Sequence, residues 1–214
     1  LAFDIIDEEI KERVISNLLA RIENESQVDG ETYEPYSLMT GFIGTAWINR
    51  VLSDNGHTKT AYQVLQQTNY PSWLYSVDQG ATTIWERLNS YTKEHGFSGN
   101  NSMNSFNHYS FGAIGSWMYN HSLGIERDEE HPGFQHFNLQ PEPDPTGEMK
   151  WAKGHYDSMY GRIESEWRVD PSDSSCTYRF LVPANTTATL HLQAKSLENV
   201  KEGNKPIASS PHIQ

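Results

Sequence analysis

In the stretch Trp85-Glu86-Arg87 one carboxylate stands between an indole and a guanidinium, with the hydroxyls of Thr82 and Thr83 just before it. An apolar ring raises a carboxylate's proton affinity and a cation lowers it, so these neighbours pull in opposite directions. Such a setting suits acid–base work. Residues 80–88 on their own read equally as a turn and a short helix, 81–88, with Glu86 solvated on its surface. A second candidate is His108, near the start of a helical pattern over 106–123, where it shares a stripe with Gly112, Gly115 and Tyr119. The glycines would let a neighbour approach closely, and a lone histidine there also reads as a structural residue. A third is the aromatic loop 69–75, with Tyr70, Trp73 and Tyr75. Sugar C–H faces pack on aromatic faces, so such a loop suits a binding wall. It suits the plugged end of a helical bundle equally well.

The elements that would hold these residues follow from periodicity. Residues 4–24 carry Ile6, Ile10, Val14, Leu18 and Ile22 at four-residue intervals, an amphipathic helix whose stripe is packing. Residues 25–40 form a polar connection with a turn at Asp29-Gly30. A helix over 41–54 should end at Asn55-Gly56, and a second over 58–68 should fold back on it as a hairpin. The polar segment 89–105 is long for a connection. After the break at His131-Pro132-Gly133 the character changes. Stretches 134–140, 150–156, 160–169, 177–182 and 187–192 follow, several alternating with period two, and turn residues separate them. They predict an antiparallel sheet or sandwich, with a domain boundary near 124–133.

The totals narrow the function. A chain of 214 residues with 36% apolar and 12% aromatic residues can build a core and an aromatic site. A net charge of −12 argues against nucleic acid and against anionic membrane surfaces, but does not penalise a neutral sugar. A single cysteine, Cys176, excludes an internal disulfide and a multi-cysteine zinc site, and fits the cytoplasm and the periplasm of a bacterium alike. No apolar run approaches the length of a membrane span, and the first residues lack the pattern of a signal peptide. Both ends read as those of a piece of something longer. No phosphate loop, nucleophile elbow or zinc-protease motif is present. His121, His131 and His136 cluster near the boundary without a metal spacing, so no metal and no cofactor is expected. Asn24, Asn100, Asn120 and Asn185 each open an Asn-x-Ser/Thr triplet, a pattern common by chance.

Several stretches, taken in order, carry a resemblance: TGFIGT at 40–45, VLSDNGH at 51–57, TNYPSW at 68–73, GATTIWER at 80–87, SFNHY at 105–109, WAK at 151–153, YDSMYG at 156–161 and PANTTA at 183–188. Together they resemble the C-terminal part of bacterial α-L-rhamnosidases, glycoside hydrolase family 78. The resemblance implies an α+β multidomain fragment. Residues 1–128 would be the last helices of an (α/α)6 barrel and 129–214 an antiparallel β-sandwich that stops one or two strands early. It implies an inverting hydrolase releasing terminal α-L-rhamnose from a rhamnose-containing oligosaccharide, polysaccharide or glycoside. In that scheme Glu86 is the general base, and His108 and Trp85 contact the sugar. The general acid would lie in an Asp-Trp segment absent from this chain, so the isolated chain is expected to be inactive. Where relatives often carry Trp after the Glu-Arg pair, this chain has Leu88. Two other readings stand beside this one. One is another glycosidase or a polysaccharide lyase on a helical toroid; the other is a carbohydrate-binding module acting through the loop 69–75.

Overall fold

The computed structural model describes residues 1–97, 102–203 and 205–210. Residues 98–101 of the polar segment 89–105, Asn100 among them, lie outside the described residues.

Helix α1 runs Glu8–Ile22, with Glu8 and Glu9 in the first turn and Arg21 in the last, each placed to favour the helix dipole. It starts later than residue 4 because Asp4 takes a φ of 49°, a conformation no right-handed helix contains. Ile15 is buried, and Leu18, Leu19 and Ile22 pack on the helical core. Strands β1 (Ser26–Val28) and β2 (Glu31–Tyr33) form a hairpin. Its turn is Asp29-Gly30, with φ values of 52° and 84°, the primed geometry that matches strand twist.

The helix expected over 41–54 is two helices, α2 (Phe42–Thr45) and α3 (Ile48–Asp54). The break has a local cause. The Thr45 hydroxyl bonds back to the Gly41 carbonyl at 2.9 Å and lies 2.8 Å from the Thr40 hydroxyl. Side-chain bonds of this kind compete with the helical ladder. Helix α3 stops at Asn55-Gly56, with Gly56 at φ 81°, and α4 (Thr58–Gln66) folds back on it. Asn49 ties the hairpin by donating to the Ala61 carbonyl at 2.8 Å. A further helix, α5 (Trp73–Asp78), lies where a loop was expected, and the Ser72 hydroxyl caps it by accepting from Tyr75 N–H at 3.1 Å. Residues 110–122 form one helical stretch of mixed pitch: a 3₁₀ turn (Ser110–Ala113), α6 (Ile114–Trp117) and a π turn (Met118–Ser122). Its Phe111, Ile114 and Trp117 close a core with Leu52, Tyr62, Val64 and Trp73. No helix among the described residues is long and apolar enough to cross a membrane.

Gly124, at φ 70°, turns the chain out of the helices. Strand β3 (Ile125–Arg127) pairs antiparallel with β4 (His136–Leu139), and β4 pairs parallel with β8 (Thr187–Leu190). Between them β5 (Trp151–Ser158), β6 (Gly161–Val169) and β7 (Cys176–Leu181) form a fully antiparallel sheet. Five of these six strands have an antiparallel neighbour, as expected. The β4–β8 pair departs from that rule because the whole β5–β7 sheet serves as the long crossover that a parallel pair requires. Along β6, Ile163, Ser165 and Trp167 alternate inward, as the period-two pattern predicts. A last short ladder joins β9 (Lys201–Glu202) to β10 (Lys205–Pro206). Two buried bonds fasten the sheet to the helices: Trp167 Nε1 donates to the Ser122 carbonyl at 2.8 Å, and the Ser165 hydroxyl donates to the Leu123 carbonyl at 2.6 Å.

Candidate functional site

Residues 81–88 are not a helix. Gly80, at φ 101°, ends α5 and the chain runs on in irregular, partly extended form. It lies beside 104–108 in antiparallel sense. His108 N–H donates to the Ile84 carbonyl at 2.9 Å, and Glu86 N–H donates to the Ser105 carbonyl at 2.8 Å. The Ser105 N–H returns a bond to Glu86 Oε2 at 2.9 Å. The Thr83 hydroxyl donates to the Phe106 carbonyl, and Arg87 Nη2 donates to Asn104 Oδ1 at 3.2 Å. Glu86 and His108 are thus carried on two segments laced to each other.

The ladder sorts its side chains by alternation. Trp85 turns inward to 6% exposure and meets Phe106 edge-on at 5.2 Å. Phe106 continues to Phe97 and Phe97 to Tyr91, an aromatic seat beneath the ladder. The indole that the resemblance makes a sugar contact is therefore largely covered in this chain. Leu88 is buried in the helical core. On the other face, Ile84 packs where Gly112 has no side chain; a Cβ at Gly112 would stand 3.3 Å from it. That close approach is the use expected for one glycine of the stripe, whereas a Cβ at Gly115 would meet nothing within 4 Å.

His108 precedes the helical stretch rather than lying within it. Its ring stacks on Phe42 at 4.8 Å and 26°, and beside Tyr109 at 5.7 Å and 4°. Nδ1 accepts a long bond of 3.4 Å from Ser110 N–H. In the neutral ring that leaves Nε2 carrying the proton, so the free edge of His108 is a donor. Phe42 and the Ser105 amide are parts of the site that sequence reasoning missed. A main-chain amide has no sequence signature, and Phe42 lay in the stretch 41–54 that read as one helix.

The aromatic loop divides. Trp73 is core, its Nε1 donating to the Phe111 carbonyl at 2.8 Å. Tyr70 stays partly exposed between Tyr33 at 6.3 Å and Tyr75 at 5.4 Å, and burial, then those two phenols, push its own phenol's pKa up.

The three histidines near the boundary also divide. His121 is buried: Nδ1 donates to Glu142 Oε1 at 2.8 Å, and Nε2 lies 3.4 Å from Asp54 Oδ1. His131 and His136 instead share Asp128, at 3.0 and 3.7 Å. No group among the described residues has the make-up of a metal site. A polar cleft of about 380 Å³ opens at the helix–sheet junction beside His121, Asp54, Arg50 and Glu126. Glu86 and His108 do not line it.

Helical hairpins lead into β-sheets, and this order is that of a helical-hairpin glycosidase domain followed by a C-terminal β-domain. Residues 1–122 match the bacterial alpha-L-rhamnosidase 6 hairpin glycosidase domain, and residues 124–206 match the bacterial alpha-L-rhamnosidase C-terminal domain. The chain belongs to the bacterial α-L-rhamnosidase family. It is 36% identical over 214 residues to an α-L-rhamnosidase of Formosa agariphila, covering 100% of this chain and 21% of that protein. It is 33% identical over 201 residues to one of Streptomyces avermitilis, covering 94% and 18%. The crystal structure of Streptomyces avermitilis α-L-rhamnosidase complexed with L-rhamnose is similar at a TM-score of 0.74 and 31% identity, over 91% of this chain and 17% of that one. The α-L-rhamnosidase of Dictyoglumus thermophilum is similar at a TM-score of 0.79 and 28% identity, over 98% and 22%. The chain spans about a fifth of the length of these relatives.

Proposed function

We propose that this chain is part of an inverting α-L-rhamnosidase in which Glu86 is the general base and His108 donates a hydrogen bond to a hydroxyl of the terminal rhamnose. The observation that carries the reading is the ladder between 83–87 and 104–108. Ser105 N–H holds Glu86 Oε2, so the carboxylate is oriented before substrate arrives. The other oxygen, Oε1, takes the proton of an attacking water. That water's oxygen bonds to the anomeric carbon, the bond from that carbon to the leaving oxygen breaks, and the leaving oxygen takes a proton from an acid on the opposite face. The sugar is released with inverted configuration. The two carboxyl groups of such a pair stand roughly 6.5–9.5 Å apart to admit the water.

In this reading the acid comes from another part of the enzyme, and the isolated chain does not hydrolyse rhamnosides. Trp85 belongs to the same site. Its buried indole, seated on Phe106, supports the chain at Glu86 from beneath, so its part in the site is to hold the carboxylate's segment. The substrate is a neutral rhamnose-containing oligosaccharide, polysaccharide or glycoside, which a net charge of −12 does not repel.

Proton NMR of an aryl α-L-rhamnoside digest by the full-length enzyme tests the reaction. The first product should be β-L-rhamnose, and first release of the α anomer would refute inversion. A parallel digest of a uronate polymer separates the lyase alternative, because elimination leaves an unsaturated product absorbing in the ultraviolet.

A further inference from the structure

We infer that Phe42 is a positioning residue for His108: its ring, fixed to the helical core, holds the imidazole so that Nε2–H faces the substrate. The inference rests on the reading of His108 as a sugar-contacting residue.

An imidazole has two soft torsions, and a half-buried one samples several rotamers unless its face and one nitrogen are held. Here the main chain of His108 is tied to Ile84, and Nδ1 receives only a long bond of 3.4 Å from Ser110. A bond of that length orients the ring weakly. The tighter restraint is Phe42, stacked at 4.8 Å and 26°.

Phe42 is itself held. It meets Phe111 edge-on at 5.3 Å, and Phe111 is a buried core residue whose carbonyl receives Trp73 Nε1 at 2.8 Å. Phe42 also opens α2, the short helix that the Thr40–Thr45 hydroxyl pair closes off. The ring therefore joins the core to the imidazole, and reaches it from a separate segment of chain. Without the ring, the imidazole must be ordered each time a sugar binds. Ordering one such side chain costs a roughly three- to tenfold loss of affinity.

The test is a double-mutant cycle in the full-length enzyme, with KM and kcat measured on an aryl α-L-rhamnoside. Phe42→Leu should raise KM about three- to tenfold, and Phe42→Tyr, which keeps the ring, should restore it. In a His108→Ala background, Phe42→Leu should change KM no further, because the group it positions is gone. Phe42→Met, which fills the volume without a ring face, carries the same cycle if Phe42→Leu does not fold. An equal rise in KM in both backgrounds would overturn the inference while leaving the role of His108 intact. An unchanged KM in His108→Ala alone would remove the reading of His108, and the inference with it.

Discussion

Glu86 and Ser105 exchange two hydrogen bonds: Glu86 N–H gives to the Ser105 carbonyl at 2.8 Å, and Ser105 N–H gives to the Glu86 carboxylate at 2.9 Å. The first bond fixes the backbone under the carboxylate and the second fixes the carboxylate itself. Both come from main-chain groups, so the arrangement depends on the path of 104–108 and not on the serine side chain. A charge-assisted bond from a backbone amide is among the stronger orienting contacts available. Its donor carries no formal charge.

Glu86→Gln keeps an oxygen for the Ser105 amide while removing the proposed base. In the full-length enzyme, kcat on an aryl rhamnoside should fall by about 10²–10⁴-fold, the usual share of general-base catalysis, with little change in KM. Steady-state kinetics of the two enzymes decides it. A kcat within a factor of two of wild type would remove Glu86 from the chemistry.

Gly124→Ala should be severely destabilising. Gly124 sits at φ 70°, and a Cβ there would lie 2.0 Å from the Pro141 nitrogen, which is backbone and cannot step aside. Strain in the left-handed region adds to overpacking of about 1–3 kcal/mol. For a protein of this size that corresponds to a fall in Tm of at least several degrees, on the order of 2–4 °C per kcal/mol. Thermal unfolding followed by circular dichroism measures it, and an unchanged Tm would contradict the packing at this turn.

Much of this architecture is written in local signals. Asp29-Gly30 names a turn and Asn55-Gly56 a helix stop, and Asp29, Gly30 and Gly56 take the positive φ values such stops use, although the strands on either side of the first turn lie hidden in what reads as a polar connection. Ile163, Ser165 and Trp167 announce the inward face of β6 by spacing alone. What stayed hidden was set by partners distant in sequence. Residues 81–88 have an acceptable helical pattern and lose it to the ladder with 104–108, which no local window contains. Ser72 is a good helix cap, yet the aromatics around it drew attention to a binding loop. The parallel pairing of β4 with β8 depends on where a long crossover returns. At the candidate site, Glu86 and His108 could be singled out by residue type, whereas Phe42 and the Ser105 amide reach them through tertiary contact only.

Glu142 offers a graded prediction at the junction of helices and sheets. Its carboxylate accepts from His121 Nδ1 at 2.8 Å and from the Thr58 hydroxyl. In Glu142→Gln, the amide oxygen can keep Thr58 while its NH₂ donates to Nδ1, provided that the His121 proton moves to Nε2, which faces Asp54 at 3.4 Å. The cost should be under about 1 kcal/mol. Glu142→Leu leaves both donors without their acceptor and should cost about 1–3 kcal/mol. Urea unfolding of the two variants separates them, and equal losses would show that these bonds contribute little.

Tyr62 should make stability depend on alkaline pH. Its ring is fully buried, and its hydroxyl lies 2.7 Å from the Glu142 carbonyl and 2.9 Å from the Ser122 hydroxyl. A phenol has one proton, so it goes to the carbonyl, which can only accept, and Ser122 donates in return. Burial raises the phenol's pKa far above its ordinary value of 10.0; the Asp144 and Glu142 charges push the same way, and the Ser122 bond opposes them. The folded chain therefore keeps a proton that the unfolded chain has lost once the pH passes that ordinary value. Stability from this group is complete below about pH 10 and falls as the pH rises beyond it, by up to about 1.4 kcal/mol per pH unit. Tyr178, raised chiefly by burial and then by Cys176, adds to the decline with the same sign. Tyr62→Phe should be less stable at pH 7 by about 1–3 kcal/mol, because the Glu142 carbonyl loses its donor. Its stability should also fall less steeply above pH 10, so that the two curves converge. Urea midpoints between pH 8 and about pH 11 test this, and parallel curves over that range would rule out Tyr62 as the source of the alkaline loss.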